Sequence, residues 1–338
     1  MKEREKLQPL LYSKRNSVKH WAKFTFLFFL FTVSLLLSCG DRSKKDSKNP
    51  EKDTVAEQSP NNLTLTDVKG IRFYEVKRRF KNGLSFNKDG FQQEPSWIIE
   101  VKKRDSIMVY SPTKKAFETV YLQFDHGKVY NFMREFFRVK LITKDSLILQ
   151  RLYVEGKIIA GDDDYRSEVY STYYSKDYIE KKLHTTASEL QKPTRADTLL
   201  IKGLSEKTYK DPFNEKFAFA ARNPVVFTPL SPLITVSKNK KNELSKHRAE
   251  VYEYMYPEYS VVINKCYKAF NHAMNVIVDA NGKIVVNKVH YVLYPDAKKR
   301  MLQGVVDVYF KNMLKVTPGK TLNIPHSSEV TIYIIGKL

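Results

Sequence analysis

Cysteine is scarce in this chain. Cys39 and Cys266 are the only two among 338 residues, so no disulfide framework can hold the fold. No Cys-x-x-Cys pair and no His-x-x-x-His spacing occurs, and the seven histidines are scattered singly, which excludes a structural zinc site. Phosphate-binding glycine loops and G-x-S-x-G turns are missing as well. Glycine itself is sparse, 12 residues against 21 Tyr and 20 Phe. That balance favours sheet, because aromatic side chains suit the half-buried pleated surface of strands. Acidic residues are in deficit, 37 against 58 Lys and Arg, for a net charge of +21. So basic a surface either is simply solvated and aids solubility, which is the favoured reading, or attracts anionic lipid heads or acidic glycans. Nucleic acid is not expected as a partner, since no aromatic RNA-binding run or zinc-finger spacing accompanies the charge.

What is present begins with a basic stretch, residues 1–23, followed by Phe24–Ser38, which carries no charge. As a helix those 15 residues span roughly 22 Å, short of the roughly 30 Å hydrocarbon core. A basic segment, a short apolar run and a small residue make the pattern of an export signal, here 1–38. The alternative reading is an uncleaved transmembrane anchor. Leu36-Leu37-Ser38-Cys39 at its end resembles the lipobox of bacterial lipoproteins. That resemblance implies that Cys39 is acylated and becomes the first residue of a protein held at the membrane by its lipid. It also implies the cell envelope, on the inner or outer membrane and facing the periplasm.

Residues 39–62 are almost devoid of apolar side chains and balanced in charge, which reads as a disordered tether. The basic excess beyond the export signal therefore belongs to residues 63–338. Over 63–183, seven runs alternate: 71–76, 97–101, 107–110, 119–124, 136–142, 147–154 and 168–174. Turn signals such as Asn82-Gly83, Lys88-Asp-Gly90 and Asp125-His-Gly127 separate them. Recurring strands with short turns predict an antiparallel all-β barrel-like or curved-sheet domain, closed by a short helix over 175–183. Its architecture resembles small lipocalin-like lipoproteins, which would imply a carrier of an apolar ligand. Residues 184–248 are interrupted by Pro193, Pro212, Pro224, Pro229 and Pro232 and read as a connector with short extended pieces near 217–221, 225–227 and 233–236.

Residues 249–338 carry a β-β-α-β order. Met274, Val276 and Val278 share a face; Asp279-Ala-Asn281-Gly282 makes a tight turn; 284–293 is a second strand with Val285, Val289, Tyr291 and Leu293 on one face. Pro295-Asp296 opens a helix with Leu302, Val305, Val306, Tyr309 and Met313 as its buried stripe, and 329–335 is the last strand. The fold class expected for the whole chain is thus α+β.

This order, the Asn281-Gly282-Lys283-Ile284 turn and Pro318-Gly319-Lys320 before a terminal strand resemble the C-terminal domain of TonB-like proteins. Val316 stands where that family has Trp. The resemblance implies a module that binds an envelope protein by adding a partner strand to an exposed sheet edge, formed here by Val330, Thr331, Ile332, Tyr333, Ile334 and Ile335; the alternative is that the N-terminal domain or the connector covers that edge. It also raises energy transduction to outer-membrane transporters as an alternative, although the long Pro-rich spacer of such transducers is not found. No set of titratable groups points to catalysis. His126 reads as a turn residue, His290 as the polar face of a strand, Cys266 as a buried thiol, and Asp162-Asp163-Asp164 as a solvated hairpin tip rather than a calcium loop. The reading is a non-catalytic binding module without metal or cofactor.

Overall fold

A computed structural model describes residues 63–112, 114–156, 158–159, 169–239 and 246–338. The export signal, Cys39, the tether and Asp162–Asp164 lie outside the described residues. The protein is mostly β, and its larger sheet is an antiparallel, barrel-like, nearly closed array of nine strands. In chain order these are β1 (Arg72–Phe80), β2 (Ile98–Lys103), β3 (Ser106–Ser111), β4 (Ala116–Tyr121), β5 (Gln123–His126), β6 (Val129–Phe132), β7 (Glu135–Ile142), β8 (Ser146–Leu152) and β9 (Val169–Ser175). The spatial order is β4-β3-β2-β1-β9-β8-β7-β6-β5. Two four-strand meanders are thus joined through β9, which pairs with β1 from Phe73↔Ser175 to Phe80↔Val169. The two outermost strands, β4 and β5, are consecutive in the chain and separated by the buried corner residue Leu122. The run expected as one strand over 119–124 bends at that corner, and β6, not foreseen, extends the second meander.

Inward side chains fill the array. Phe73, Ile99, Val101, Ile107, Val109, Leu122, Phe132, Phe137, Val139, Leu147, Leu149 and Tyr173 are buried in one continuous cluster. Full burial of each such aliphatic or aromatic group contributes about 1.5–3 kcal/mol. A π-helical turn, Tyr178–Lys182, follows β9 where the sequence indicated a short helix.

The Pro-broken stretch holds more order than its composition suggests. Thr194 and Asp197 form a reciprocal capping box that starts α1 (Arg195–Lys210). Ile201 of this helix packs with Phe86 and Phe219, and Leu322 and Ile324 close over them. Two of the three expected extended pieces are present as β10 (Val226–Pro229) and β11 (Ile234–Lys238), whereas 217–221 forms no strand. Next come α2 (Lys246–Met255) and β12 (Glu258–Ile263). All described residues belong to one compact unit, Glu57–Leu338.

The second sheet has five strands in the order β11-β12-β16-β13-β14, where β13 is Phe270–Val278, β14 is Ile284–Val289 and β16 is Ser328–Gly336. α3 (Pro295–Val305) continues through a π turn to Met313 and leads into β15 (Leu314–Thr317), which pairs with β10. The Asp279 turn is built as the sequence indicated: Asp279 Oδ1 accepts from the amides of Asn281 and Lys283 at 2.8 Å, and Gly282 takes φ +83°. Met274, Val276 and Val278 are fully buried.

The structure corrects three expectations. The last strand, β16, is not an edge. Val330, Thr331, Ile332, Tyr333, Ile334 and Ile335 lie at the centre of the sheet, parallel to β12 on one side and antiparallel to β13 on the other. Alternation reveals which face of a strand is buried but not what flanks it, and β12 occupies that flank. The strand expected over 284–293 ends at Val289; Tyr291 and Leu293 are exposed. A bulge at Asn287 reverses the facing, so Ile284, Val286 and Val289 point into the core and Val285 does not. The α3 stripe expected from the sequence packs on the core, Leu302 and Val306 fully and Val305, Tyr309 and Met313 in part, but it omits Phe310, which the π turn brings inward to full burial.

Candidate functional site

The chemistry of this molecule concentrates where β1 departs from a regular strand. Three residues apart, Glu75 and Arg78 would face opposite sides of a flat strand. The register of β1 against β9 breaks between Glu75 and Lys77, and this bulge brings both side chains to one side. Glu75 is completely buried. Its Oε1 accepts from Arg78 Nε at 2.7 Å, and Oε2 accepts from Arg78 Nη2 at 2.6 Å and from the amides of Ser96 and Trp97 at 2.9 and 3.0 Å. A buried carboxylate with four donors is well compensated, and breaking such a pair costs several kcal/mol. Burial works against the Arg78 charge, yet the Glu75 carboxylate more than offsets it and holds the guanidinium pKa above its ordinary value. Tyr173, also fully buried, is pushed well above 10 by burial and by Glu75, so it stays a neutral phenol.

In front of this pair opens a cleft of about 380 Å³. Its walls are aromatic: Phe91, Trp97, Phe137, Tyr173 and, from α2, Tyr252. Trp97, Phe132 and Phe137 form a ring cluster, with Phe132 stacked on Phe137 at 4.6 Å. Its polar groups are Arg78, Gln93, Ser171 and the pair Arg151–Glu135, whose Nε–Oε2 separation is 2.7 Å. Glu135, Arg151 and Val169 also line a neighbouring depression of about 420 Å³ that reaches Arg134 and Tyr153. α2 is held over the cleft by Tyr254, whose hydroxyl accepts from the Gln92 amide at 3.1 Å and whose ring lies under the Arg222 guanidinium. Arg222 in turn pairs with Glu94 at 2.7 Å.

Chemically, the cleft offers fixed donors and acceptors beside flat apolar walls. The two carboxylates neutralise the two arginines, so it does not demand a fully charged ligand. A neutral tyrosine and paired arginines offer hydrogen bonds to a ligand.

The residues singled out from sequence lie elsewhere. His126 pairs with Asp125 at the exposed end of β5, just before the turn to β6. His290 Nε2 meets Asn275 Oδ1 at 2.8 Å beside β13. The buried Cys266 thiol donates to the Ile263 carbonyl. No contact joins any two of them. Val316 lines a separate cavity of about 370 Å³ with Gly282, Ile284, Val306 and Phe310. Among the described residues, no group of three or more His, Cys, Asp or Glu side chains is placed to hold a metal ion. Sequence reasoning missed the cleft because its residues come from six segments, and the bulge that assembles Glu75 with Arg78 leaves no local mark.

No family model matches the chain, and no curated protein is significantly similar to it.

Proposed function

We propose that the protein is a membrane-anchored envelope lipoprotein that acts as a non-catalytic binding module, and that the aromatic-walled cleft is its ligand site. On this reading the chain is α+β, with a barrel-like domain over 63–183 and a TonB C-terminal-like domain over 249–338. The observation that carries the binding site is the buried Glu75–Arg78 pair set behind Trp97 and Phe137 at the mouth of a 380 Å³ cleft. Mixed polar groups beside flat rings suit a carbohydrate, and the chain's excess of positive charge favours an acidic one. The filled interior of the nine-stranded sheet speaks against the carrier of an apolar ligand. Gln303 of α3 bonds the Val286 amide and the Ile284 carbonyl along the outer side of β14, so a TonB-like partner adding a strand would have to use β11, at the other side of the five-stranded sheet, rather than the last strand.

Trp97 reports on the cleft directly, as one of two tryptophans with Trp21. Titration with an oligosaccharide of alternating glucuronate and N-acetylglucosamine should change Trp97 emission saturably. Arg151→Glu, at a half-exposed pair that the fold can spare, should weaken the response about tenfold or more. A flat titration, or one identical in the variant, overturns the assignment.

A further inference from the structure

The five-stranded sheet has one end unlike the rest of the surface. β13 begins there and β12, β14 and β16 finish there: Phe270 is opposite Gly336, the Cys266 amide donates to the Lys337 carbonyl, and the His290 amide donates to the Ala273 carbonyl. The segments at this end expose Tyr267 (100%), Tyr291 (99%), Leu293 (91%) and Tyr294 (77%). Tyr267 stands on the loop before β13, and Tyr291, Leu293 and Tyr294 stand on the loop between β14 and α3. Between them lie Lys265, Lys268, Lys298, Lys299, Arg300 and Lys337. Lys298 is close enough to His272 to help depress its protonation, after the larger effect of burial, so the start of α3 belongs to the same end. Across 264–270, 290–300 and 336–338 the single carboxylate side chain is Asp296.

We infer that this end of the sheet rests on an anionic lipid bilayer. Exposed tyrosines and a leucine beside unopposed lysines make the pairing of the membrane interface. The rings settle at headgroup depth, and the ammonium groups reach anionic phosphates while their stems cover apolar surface. Each basic residue near such a surface adds to the attraction. A protein partner of matching shape would need a concave or flat platform, and here the apolar groups are tips. The inference rests on the membrane tether proposed above for its supply of a nearby bilayer, but not on whether lipid or helix provides the tether.

The full chain is reconstituted with phosphatidylcholine vesicles containing or lacking phosphatidylglycerol and carrying brominated acyl chains. Leu293→Trp supplies the probe; Tyr121→Trp, an exposed site on β4, supplies the reference; emission of the parent chain is subtracted. The Trp at position 293 should be quenched about twofold and shifted to the blue in phosphatidylglycerol vesicles, while that at 121 is not. Lys298→Glu, Lys299→Glu and Arg300→Glu together should remove the quenching without reducing co-sedimentation of the chain. Quenching at 293 no greater than at 121 overturns the inference, with co-sedimentation showing that the tether stands. A chain that stays out of the pellet with position 293 unquenched overturns both. Quenching that is indifferent to the charge reversal overturns the electrostatic part and leaves an apolar contact.

Discussion

Arg79 Nη1 lies 3.1 Å from the Asp197 carboxylate, which is wholly buried, so a strand of the barrel-like sheet is pinned to the first turn of α1. The same carboxylate accepts from the amides of Ser85 and Thr194 at 2.7 Å and from the Thr194 hydroxyl at 2.8 Å. Burial acts against its charge, but these hydrogen bonds prevail and lower its pKa. Asp197→Ala removes a cap and leaves a guanidinium facing a buried void. The expected loss is about 3–5 kcal/mol in urea unfolding. Arg79→Met should cost less, since it leaves a carboxylate still held by three donors. Equal, small losses in both variants would show that the pair does not hold helix to sheet.

Gly90 sits at φ +86° with its Cα against the next segment. A Cβ there would stand 2.2 Å from the Ala220 carbonyl oxygen, in a stretch anchored by the bond from the Ala220 amide to the Asp89 carbonyl. Neither backbone can yield without losing that bond. Gly90→Ala should cost at least about 2 kcal/mol, from the left-handed conformation and the clash together. Gly127→Ala, with open space around it, should show the conformational part alone. Thermal unfolding of the two variants compares them directly.

His326 is buried flat against Phe219, with ring centres 3.6 Å apart. Its Nδ1 donates to the Ser327 carbonyl at 3.1 Å, and its Nε2 accepts from the Thr321 hydroxyl at 3.0 Å. Burial lowers its pKa to about 4. The unfolded chain, with an ordinary value near 6.5, binds the proton first as pH falls. This group therefore takes nothing from stability above about pH 6.5 and removes up to about 3 kcal/mol as pH falls toward 4. His326→Gln should flatten the stability profile across that window. An unchanged slope in the variant would assign the acid sensitivity to other groups.

Cys39→Ala should release the protein from the membrane or block its maturation. The measurement is the intact mass of the wild-type protein, in which a cleaved and acylated cysteine is expected. An uncleaved, unmodified N-terminus would refute lipidation and favour the transmembrane anchor.

Much of the strand content was legible, because alternation is a local property: seven alternating runs cover eight of the nine strands of the larger sheet, β4 and β5 read as one, and the turn at Asp279–Lys283 could also be read from the sequence. α1 was legible in principle, since Thr194-Arg-Ala-Asp197 is a capping box ahead of Leu199, Leu200, Ile201 and Leu204, but the surrounding prolines obscured it. β12 likewise alternates Tyr259, Val261 and Ile263, all buried. Tyr259 donates to the Val225 carbonyl, and its burial raises the phenol pKa to about 12. What could not be read was pairing. Nothing in 258–263 names 331–336 as its neighbour, so the last strand read as free. The bulges at Val76 and Asn287 were equally silent, because each is fixed by what the opposite strand offers.

The corner at Leu122 bears on how the larger sheet comes together. Its two outer strands are one stretch of polypeptide bent once, so that side of the ring is fastened by a covalent bond before any folding begins. Only the far side has to be found by search, when β9 threads between β1 and β8, about a hundred positions along the chain from β1. The ring therefore has a single late latch. A ribosome must release the whole span through Ser175 before it can shut, and until then β1 and β8 present open sides to any neighbouring chain.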